Sequence, residues 1–599
     1  MAPLMDCEPG LQRDQIDPSQ LEKKIEHCSI NLSPYHVDKT GLELVSETLP
    51  GLLERQVGLT PDALAIDSYE GQWTYSQLQE EMLSLQIYLQ NHGVASGARV
   101  GILLPLSARA VMAILAIMDI GAAVVPVDLH HPPARQMTIF HESNVELVVS
   151  DKRESMLEDF RQEYSVIDLS DLKAGGQEGR GPTGTHAGPL PSNASISSAQ
   201  PQADAYIAFT SGSTGVPKGI VQSHAAIITM CKAMVAPLEV QASSRIAHVA
   251  PYVFDVAMME IALSFGTGAA LCIMSKRDLV MPEPGELEEN LNRFKITHFT
   301  LSPTMLRSIK VDSVPTMRML SVMGEPLDRR AVKLWSVSRK SQLRQMWGCT
   351  EGTILQSITP PLQSHDEPQN IGSSLYRVCR LWITDPEDVD VLREDGEAGE
   401  LVVESRALAS RYINRPDQTE RSFLANVAWK KPSSDTRYYR TGDLARKESD
   451  GTVTFLGRQD GQMTIRGERI ELGEIDYHIE QAGLLQGRGD CFAEFEPSTQ
   501  TIVGFVCGHA REPSVSDSPL TLISWEDAAV SKEVLGETML NLIEEGNLAP
   551  QMVPMWWFPL AARPLTISHK TDRARLRTMM GELSHEQWTM YRVVSEDAL

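Results

Sequence analysis

Apolar residues along the chain alternate between short continuous runs and longer segments of helical periodicity. Residues 99–104 form a short apolar run typical of a buried strand, and residues 107–120 carry a helical pattern that ends at Gly121. The apolar run at residues 123–127 predicts the next strand. A strand, a helix and a strand in this order predict a βαβ unit with parallel strands and a right-handed crossover.

The same alternation continues downstream and extends the predicted parallel sheet. After about Asp390 the pattern changes to short strands separated by turns, as at residues 399–403 and 451–457, and so predicts a β-rich layer. The predicted fold class is therefore α/β. Further strands are predicted at residues 205–209, 245–249, 269–274, 297–301, 317–323 and 343–346, and helices at residues 224–234, 254–265 and 283–294.

The length of 599 residues exceeds what one hydrophobic core usually supports, so we expect more than one domain. Residues 1–40 are polar, contain prolines and lack periodicity, which predicts a tail or a linker. Residues 175–202 are rich in Gly, Ser, Pro and Ala and predict a disordered surface loop.

The charge balance and the cysteines exclude several functional classes. With 54 basic and 79 acidic residues and a net charge of −25, the chain lacks the basic surface that a nucleic-acid partner requires. The most apolar stretch, residues 100–129, is interrupted by Pro105, Arg109 and Asp119, which argues against a membrane span. The first residues do not form a signal-peptide pattern, and the 8 cysteines include no C-x-x-C pair. We therefore expect a cytoplasmic enzyme with reduced thiols.

One segment, residues 209–220, concentrates hydroxyls, glycines and a lysine between two apolar runs. Glycines allow backbone N–H groups to approach a phosphate closely, and Lys218 supplies a positive charge. The segment is not a Walker loop, because Pro217 and Gly219 break that pattern. From residue chemistry alone, phosphate binding and an ordinary flexible turn remain equally open.

The whole segment resembles the phosphate-binding signature of the adenylate-forming enzymes, the superfamily of acyl-CoA synthetases, luciferases and peptide-synthetase adenylation domains. The resemblance covers residues 41–578 and is greatest to the adenylation domains of fungal nonribosomal peptide synthetases. It implies a large N-terminal domain of two α/β layers with a β-rich subdomain at residues 41–459, and a small mobile α+β lobe at residues 460–599. It also implies that ATP and Mg²⁺ are used, with the phosphates held by Thr210, Ser211, Gly212, Ser213, Thr214, Gly215 and Lys218.

Three further motifs, at residues 347–351, 439–443 and 457–460, match the nucleotide-binding motifs of that superfamily. The resemblance assigns Glu351 to Mg²⁺. Cys349 replaces the usual proline, and Gln345 stands where asparagine is more common. On their own, a Thr-Glu pair is typical of a helix N-cap and Thr-Gly-Asp of an ordinary turn. The residues that the resemblance places at the adenine and ribose are Gly324, Gln345, Trp347, Asp443 and Arg458.

Two motifs near the C-terminus match segments of the mobile lobe. Residues 465–475 are close to the adenylation-domain pattern, although such a charged segment is also typical of a solvated hairpin. The resemblance makes Asp460 the hinge of the lobe and Lys570 the catalytic residue, with His569 in place of the usual glycine. In that role the ammonium neutralises charge on the reacting carboxylate and the α-phosphate. An exposed surface lysine is the alternative for Lys570.

Asp255, in the segment 254–260, narrows the substrate class. By the resemblance it binds the α-ammonium of an amino acid, and acyl-CoA and aryl-acid ligases generally lack this aspartate. A helix N-cap aspartate is the structural alternative. The other pocket positions carry no charge, so we expect an apolar or weakly polar substrate side chain. These positions are Val256, Met259, Thr300, Ser321, Met323, Met346, Ile354 and Leu355.

The resemblance implies ATP-dependent activation of an α-amino acid to its aminoacyl-AMP, followed by loading onto the phosphopantetheine thiol of a carrier protein. We expect the protein to be a monomer. No carrier motif follows Leu576, so we expect the carrier to be provided in trans or within a larger synthetase. The alternatives are an acyl- or aryl-CoA ligase and, from a different class, a non-catalytic scaffold or nucleotide-sensing module. Residues 403–412 depart from the family pattern where glycines are replaced, and we expect little consequence for catalysis.

Overall fold

The computed structural model describes most of the chain from residue 41 onward. The described residues are 35–37, 41–129, 131, 133–151, 163–169, 197–210, 217–275, 285–325, 327–338, 340–432, 436–459, 462–465, 468–484, 489–496, 499, 501–508, 520–564 and 573–595.

Short strands dominate the chain up to residue 459. In chain order they are β1 (Tyr35–Val37), β2 (Glu43–Val45), β3 (Leu64–Ser68), β4 (Gly71–Thr74), β5 (Arg99–Leu103), β6 (Ala123–Pro126), β7 (Leu147–Ser150), β8 (Ser165–Asp168), β9 (Asp204–Thr210), β10 (Lys218–Ser223), β11 (Arg245–His248), β12 (Ala270–Ile273), β13 (His298–Leu301), β14 (Met319–Val322), β15 (Gln342–Trp347), β16 (Ser357–Ile358), β17 (Ser373–Ser374), β18 (Cys379–Thr384), β19 (Ala398–Ser405), β20 (Arg411–Tyr412), β21 (Phe423–Leu424), β22 (Arg437–Lys447) and β23 (Val453–Arg458).

Helices alternate with these strands over most of this part. They are α1 (Leu49–Leu59), α2 (Tyr75–Asn91), α3 (Ala108–Ile120), α4 (Pro133–Glu142), α5 (His224–Val235), α6 (Val256–Thr267), α7 (Glu286–Arg293), α8 (Pro303–Leu306), α9 (Arg329–Trp335) and α10 (Pro416–Ser422), with a 3₁₀ turn at Thr350–Gly352.

Two large sheets form the α/β layers that the sequence predicts. One has the strand order β20-β10-β9-β6-β5-β7-β8 and the other β17-β16-β15-β14-β13-β11-β12-β3-β4. The predicted βαβ unit is confirmed, because β5 and β6 pair in parallel with Arg99 opposite Ala123. The largest hydrophobic core contains residues of both sheets, such as Val100 and Ile246, and so lies between them.

Helix α3 illustrates why the sequence folds as it does. The side chain of Ser107 accepts a hydrogen bond from the Ala110 N–H at the start of the helix, and Gly121 ends it with a φ of 88°. All helix residues except Arg109 are buried, since α3 belongs to the core between the sheets. The β-rich layer is also confirmed, as a five-stranded sheet of β18, β19, β22, β21 and β23.

The sequence pattern was wrong at two boundaries of irregular segments. Residues 35–37, inside the predicted tail, form β1 and pair antiparallel with β2. Ser198, inside the predicted disordered loop, donates its backbone N–H to the carbonyl of Asp119, and Ala199 is buried. The sequence of these segments does not reveal the contacts, because they are backbone hydrogen bonds to residues that are distant in the chain. Residues 175–196 of that loop lie outside the described part.

The chain beyond residue 460 forms its own α+β layer. The hydrophobic clusters of this part contain only residues from Ile470 to Val594, which supports a separate lobe. Its strands β26, β27 and β28 form one sheet and β24 and β25 a hairpin. The elements are β24 (Gln462–Ile465), β25 (Glu468–Glu471), α11 (Leu472–Gln481), β26 (Gly489–Glu496), β27 (Thr501–Gly508), α12 (Lys532–Glu544), β28 (Trp556–Leu560), α13 (Arg573–Glu582) and α14 (His585–Met590), with a 3₁₀ turn at Pro550–Met552.

Among the residues that the structure describes, an ion pair joins this lobe to the core. The guanidinium of Arg135 on α4 donates to the carboxylate of Glu474 on α11 over 2.6 Å, and Glu474 is fully buried. Among the helices in the part of the chain that the structure covers, none combines the length and apolar character needed to cross a membrane.

Candidate active site

The hydroxyl- and glycine-rich segment joins two paired strands. β9 and β10 are antiparallel, with Thr210 opposite Lys218, so the two ends of the segment are held side by side. The Thr210 Oγ1 atom is buried and has no hydrogen-bond partner among the described residues. A buried hydroxyl without a partner is expected where a ligand oxygen completes the site. Five of the predicted phosphate-binding residues, Ser211, Gly212, Ser213, Thr214 and Gly215, lie outside the described part.

Lys218 and Glu351 meet at the end of this hairpin. The Lys218 Nζ atom lies 3.8 Å from Glu351 Oε1 and 5.4 Å from the ring centroid of Tyr412. The Tyr412 hydroxyl donates to Glu351 Oε1 over 2.9 Å. Lys218 and Glu351 are both buried, so their charges act in a medium of low dielectric constant. The arrangement brings one cation and one carboxylate to the same point, as binding of a metal–phosphate complex requires.

The donor set at this point is compatible with Mg²⁺. Carboxylate oxygen is a suitable ligand, and Mg²⁺ is commonly held by one or two carboxylates together with substrate phosphates and water. No group of three or more His, Cys, Asp or Glu side chains suited to hold a metal occurs within the described residues. The protein would therefore contribute Glu351, and the phosphates would contribute the remaining charged ligands.

Asp255 lies just before α6 but does not cap it. Its side chain makes no capping hydrogen bond to the helix, which argues against the N-cap alternative. Instead its Oδ2 atom accepts from Gln222 Nε2 over 2.8 Å and from the backbone N–H of Ile354 over 3.1 Å. Burial raises the pKa of Asp255 to about 6, and the nearby Glu351 carboxylate adds to the rise, while the two hydrogen bonds oppose it. The result is a buried, oriented carboxylate that favours a cationic partner.

Gln222 is a site residue that sequence reasoning missed. Its side-chain amide donates both to Asp255 and to the carbonyl of Thr350, over 2.8 and 2.9 Å. It thereby ties β10, the turn before α6 and the segment carrying Glu351 to one another. Its sequence signal is a polar side chain that directly follows the apolar Ile220 and Val221 in the buried strand β10. Such a residue is equally compatible with an internal structural hydrogen bond.

The segment between β15 and β16 has a strained backbone where it reaches Asp255. Thr353 and Ile354 have φ values of 68° and 67°, which non-glycine residues adopt rarely. Gly348 is required by close approach, since a Cβ atom there would lie 2.0 Å from the Ile354 carbonyl oxygen. This conformation directs the Ile354 N–H toward the Asp255 carboxylate.

The predicted ribose-binding residues form a pair on adjacent strands. Asp443 on β22 lies opposite Arg458 on β23, and the Arg458 guanidinium donates to the Asp443 carboxylate over 2.6 Å. Gln345 and Trp347 end β15, and the Gln345 Oε1 atom is buried without a partner among the described residues. Gly324 follows β14 with a φ of 85° and open space around it.

The comparisons with known proteins decide the family. The model of the AMP-binding enzyme family matches residues 53–413, more than half of the chain. The chain belongs to the AMP-binding enzymes. This is the adenylate-forming superfamily that the sequence motifs indicated, and the mixed α/β fold expected of it is confirmed.

The curated relatives of this AMP-binding enzyme include fungal nonribosomal peptide synthetases. It is 30% identical over 551 residues to nonribosomal peptide synthetase 8 of Aspergillus fumigatus, covering 90% of this chain and 6% of that protein. It is 31% identical over 568 residues to nonribosomal peptide synthetase TES of Alternaria alternata, covering 93% of this chain and 10% of that protein. The chain thus spans a small part of these relatives.

Two solved structures share the fold at low sequence identity. A double mutant of o-succinylbenzoate CoA synthetase from Bacillus subtilis matches with a TM-score of 0.71 and 18% identity over 89% of this chain and 99% of that one. Holo-PA1221, an NRPS protein containing adenylation and PCP domains, matches with a TM-score of 0.69 and 22% identity over 89% of this chain and 84% of that one. The shared fold accommodates both kinds of ligase.

The structure brings the predicted substrate-pocket positions of this AMP-binding enzyme to one region. Met259 is on α6, Ile354 and Leu355 lie in the segment between β15 and β16, and all three are buried in the core between the sheets. Thr300, Ser321 and Met346 lie on the neighbouring parallel strands β13, β14 and β15. Val256 begins α6 and Met323 follows β14, and both pack against the same core. Asp460 and Lys570 lie outside the described residues, so hinge and catalytic lysine stay predictions.

Tyr412 and the segment before it form a second feature that sequence reasoning undervalued. Residues 403–412 depart from the family pattern, yet the Ala409 N–H donates to the Glu351 carbonyl over 2.9 Å and the Tyr412 hydroxyl donates to its carboxylate. The contact comes from the pairing of β20 with β10, which places Tyr412 opposite Ile220. Since Tyr412 is 61 residues from Glu351 in sequence, no local pattern reveals this contact.

Proposed function

We propose that this AMP-binding enzyme activates an α-amino acid with ATP, forming an aminoacyl-AMP and releasing pyrophosphate. The observation that carries the proposal is Asp255, a buried carboxylate that leaves its helix uncapped and is oriented by Gln222 and Ile354. A buried carboxylate is stable in its charged form when a cation pairs with it, and an α-ammonium provides that cation. A fatty or aryl acid provides none.

The remaining residues have distinct roles in this proposal. Thr210 and Lys218 bind the phosphates together with the segment 211–215, and Glu351 binds Mg²⁺. Bound Mg²⁺ would neutralise phosphate charge during the displacement of pyrophosphate. Gly324, Gln345 and Trp347 hold the adenine, and the Asp443 carboxylate accepts from the ribose hydroxyls beside Arg458. Lys570 stabilises the charge that develops as the amino-acid carboxylate attacks the α-phosphorus.

The proposed second step transfers the aminoacyl group to the phosphopantetheine thiol of a carrier protein. The similarity to nonribosomal peptide synthetases supports this step. The carrier is provided in trans or by other parts of a larger synthetase. In the acyl transfer the thiolate attacks the carbonyl carbon of the mixed anhydride and AMP leaves.

Amino-acid-dependent exchange of pyrophosphate into ATP tests the first step directly. We expect exchange with at least one amino acid, and a loss of at least ~100-fold in kcat/KM for the Asp255→Ala variant with an unchanged affinity for ATP. Matched assays with coenzyme A and fatty or aryl acids test the alternative ligase, which the fold of the CoA synthetase neighbour also permits. Turnover of such acids, with no exchange for any amino acid, would contradict the proposal.

A further inference from the structure

A row of three polar side chains crosses the parallel strands beneath the substrate-pocket positions. Thr300 on β13 pairs with Ser321 on β14, and Ser321 pairs with Arg344 on β15. Residues paired in this way are about 4.8 Å apart from strand to strand and point to the same face of the sheet. The alternate residues Phe299, Leu320 and Leu343 belong to the cluster on the opposite face.

This row therefore lies on the face that carries Met346, two residues beyond Arg344 on the same strand. Met346 belongs to the core between the sheets, as does Met259 of α6, so the row lies on the face of the sheet that packs against this apolar core. Thr300 is partly accessible although β13 is an internal strand of the nine-stranded sheet. Accessibility at such a position requires a space above the sheet on that face.

One buried polar atom of the row lacks a partner among the described residues. The Arg344 Nε atom is buried without a hydrogen bond, while its Nη1 atom donates to the Thr359 carbonyl over 2.9 Å. No hydrogen bond joins the hydroxyl of Thr300 or of Ser321 to another described residue. A buried polar group is almost always hydrogen-bonded, so the Arg344 Nε atom, beside two hydroxyls that make no hydrogen bond to the described residues, is expected where a ligand completes the bonding.

The charge of Arg344 is already balanced in part. Burial lowers the pKa of its guanidinium, and the electrostatic interaction with the Glu239 carboxylate opposes this effect. A second carboxylate brought by the substrate would therefore meet Glu239 as well as Arg344. A neutral oxygen that accepts from the guanidinium and the two hydroxyls avoids this repulsion.

We infer that Thr300, Ser321 and Arg344 form the floor of the amino-acid pocket and select an uncharged side chain that ends in an acceptor oxygen. Carboxamide and phenol oxygens share this chemistry. The inference rests on the proposed function and refines it. The apolar walls of the pocket would contact the carbon atoms of the substrate side chain, whereas its floor would disfavour a side chain that ends in an apolar group. Arg344 is thus a specificity-determining residue that the eight pocket positions do not include.

Paired substrates in the exchange assay test the inference. Tyrosine is compared with phenylalanine, and glutamine with leucine, at saturating ATP. A site built to hydrogen-bond an oxygen discriminates strongly against the analogue that lacks it. We expect the oxygen-bearing member of one pair to have a kcat/KM at least ~10-fold above that of its partner, and the preferred pair distinguishes a phenol from a carboxamide.

Variants connect this preference to the row. Arg344→Met should lower kcat/KM for the oxygen-bearing substrate and leave that of its apolar partner nearly unchanged, so that their ratio approaches one. Ser321→Ala removes a single oxygen and should lower the ratio of kcat/KM between the oxygen-bearing substrate and its apolar partner. This variant tests the inference if Arg344→Met does not fold. Arg330→Met, on the exposed side of α9, is the matched control and should leave the ratio unchanged.

Two results would overturn the inference. A wild-type preference for phenylalanine and leucine would do so, as would an unaltered ratio in both Arg344→Met and Ser321→Ala. Either result leaves the proposed function intact, because exchange still depends on an amino acid. Absence of exchange with every amino acid would instead overturn the proposed function and the inference with it.

Discussion

At the scale of single residues, burying the charged Asp255 carboxylate lowers the stability of the folded protein. Raising its pKa from 3.8 to about 6 corresponds to about 3 kcal/mol against burying the charged form. That cost is absent below pH 4, where the carboxyl is neutral in the folded and unfolded chain alike, and is complete above pH 6. An ammonium that binds beside the carboxylate recovers part of this free energy. A ligand with an ammonium group is therefore favoured over one without it.

The same pKa gives a pH dependence for amino-acid activation. Below about pH 6 the Asp255 carboxyl is protonated in the free enzyme and no longer attracts an α-ammonium. We expect kcat/KM for the amino acid to fall by about tenfold per pH unit below that value, whereas the KM for ATP stays constant. Exchange assays from pH 5 to 8 measure both quantities. An Asp255→Asn variant should be weakly active and without this inflection; an inflection that survives in the variant would assign the titration to another group.

At the scale of elements, the strained backbone of the connection between β15 and β16 orients the Ile354 N–H as a hydrogen-bond donor toward Asp255. Gly348, Thr353 and Ile354 fold the segment back on itself so that the Ile354 N–H reaches Asp255. The approach is so close that Gly348 has no room for a side chain. Here the glycine is a steric requirement, and the positive φ values belong to residues other than glycine.

Gly348→Ala should therefore impair amino-acid binding more than nucleotide binding. A Cβ atom would lie 2.0 Å from the Ile354 carbonyl oxygen and 2.7 Å from the Leu355 Cα atom, so the backbone must move. We expect the KM for the amino acid to rise at least ~10-fold and stability to fall by about 1–3 kcal/mol, measured by exchange kinetics and denaturant unfolding. Gly58→Ala, in α1 with open space around it, is the control and should be neutral or slightly stabilising. Equal KM values in the two variants would contradict this account.

The elements themselves were largely predictable from sequence, and the contacts between them were not. The apolar run at residues 99–104 and the helical pattern ending at Gly121 correspond to β5 and α3, because periodicity reports which face is buried. Gln222 and Tyr412 were missed because their roles follow from strand pairing between distant segments. Arg344 was missed for the same reason, since the sequence does not reveal that it pairs with Ser321.

At the scale of the whole molecule, helix α4 lies between the C-terminal lobe and the hairpin of β9 and β10, which is proposed to bind phosphates. Arg135, near its start, pairs with Glu474 of the lobe, and Glu142, at its end, pairs with Arg415. The Arg415 guanidinium also donates to the carbonyl of Pro217, the residue before Lys218. Contacts at the two ends of α4 thus link the lobe with the segment proposed to hold the phosphates, and the helix between them offers a physical route by which one could respond to the other.

Breaking the Arg135–Glu474 pair should therefore change the two proposed half-reactions unequally. Removing one partner leaves the other charge buried, so the lobe loses its present position on the core. In Arg135→Gln or Glu474→Gln, we expect the ratio of adenylation rate to transfer rate from preformed aminoacyl-AMP to shift by at least ~10-fold, since each step needs its own lobe position. The charge-swapped double variant, Arg135→Glu with Glu474→Arg, should restore the ratio toward that of the wild type. Neutralising the exposed pair Arg329–Glu367 is the control and should leave the ratio unaltered. Equal losses in both half-reactions, or no recovery in the double variant, would show that the pair contributes to folding alone.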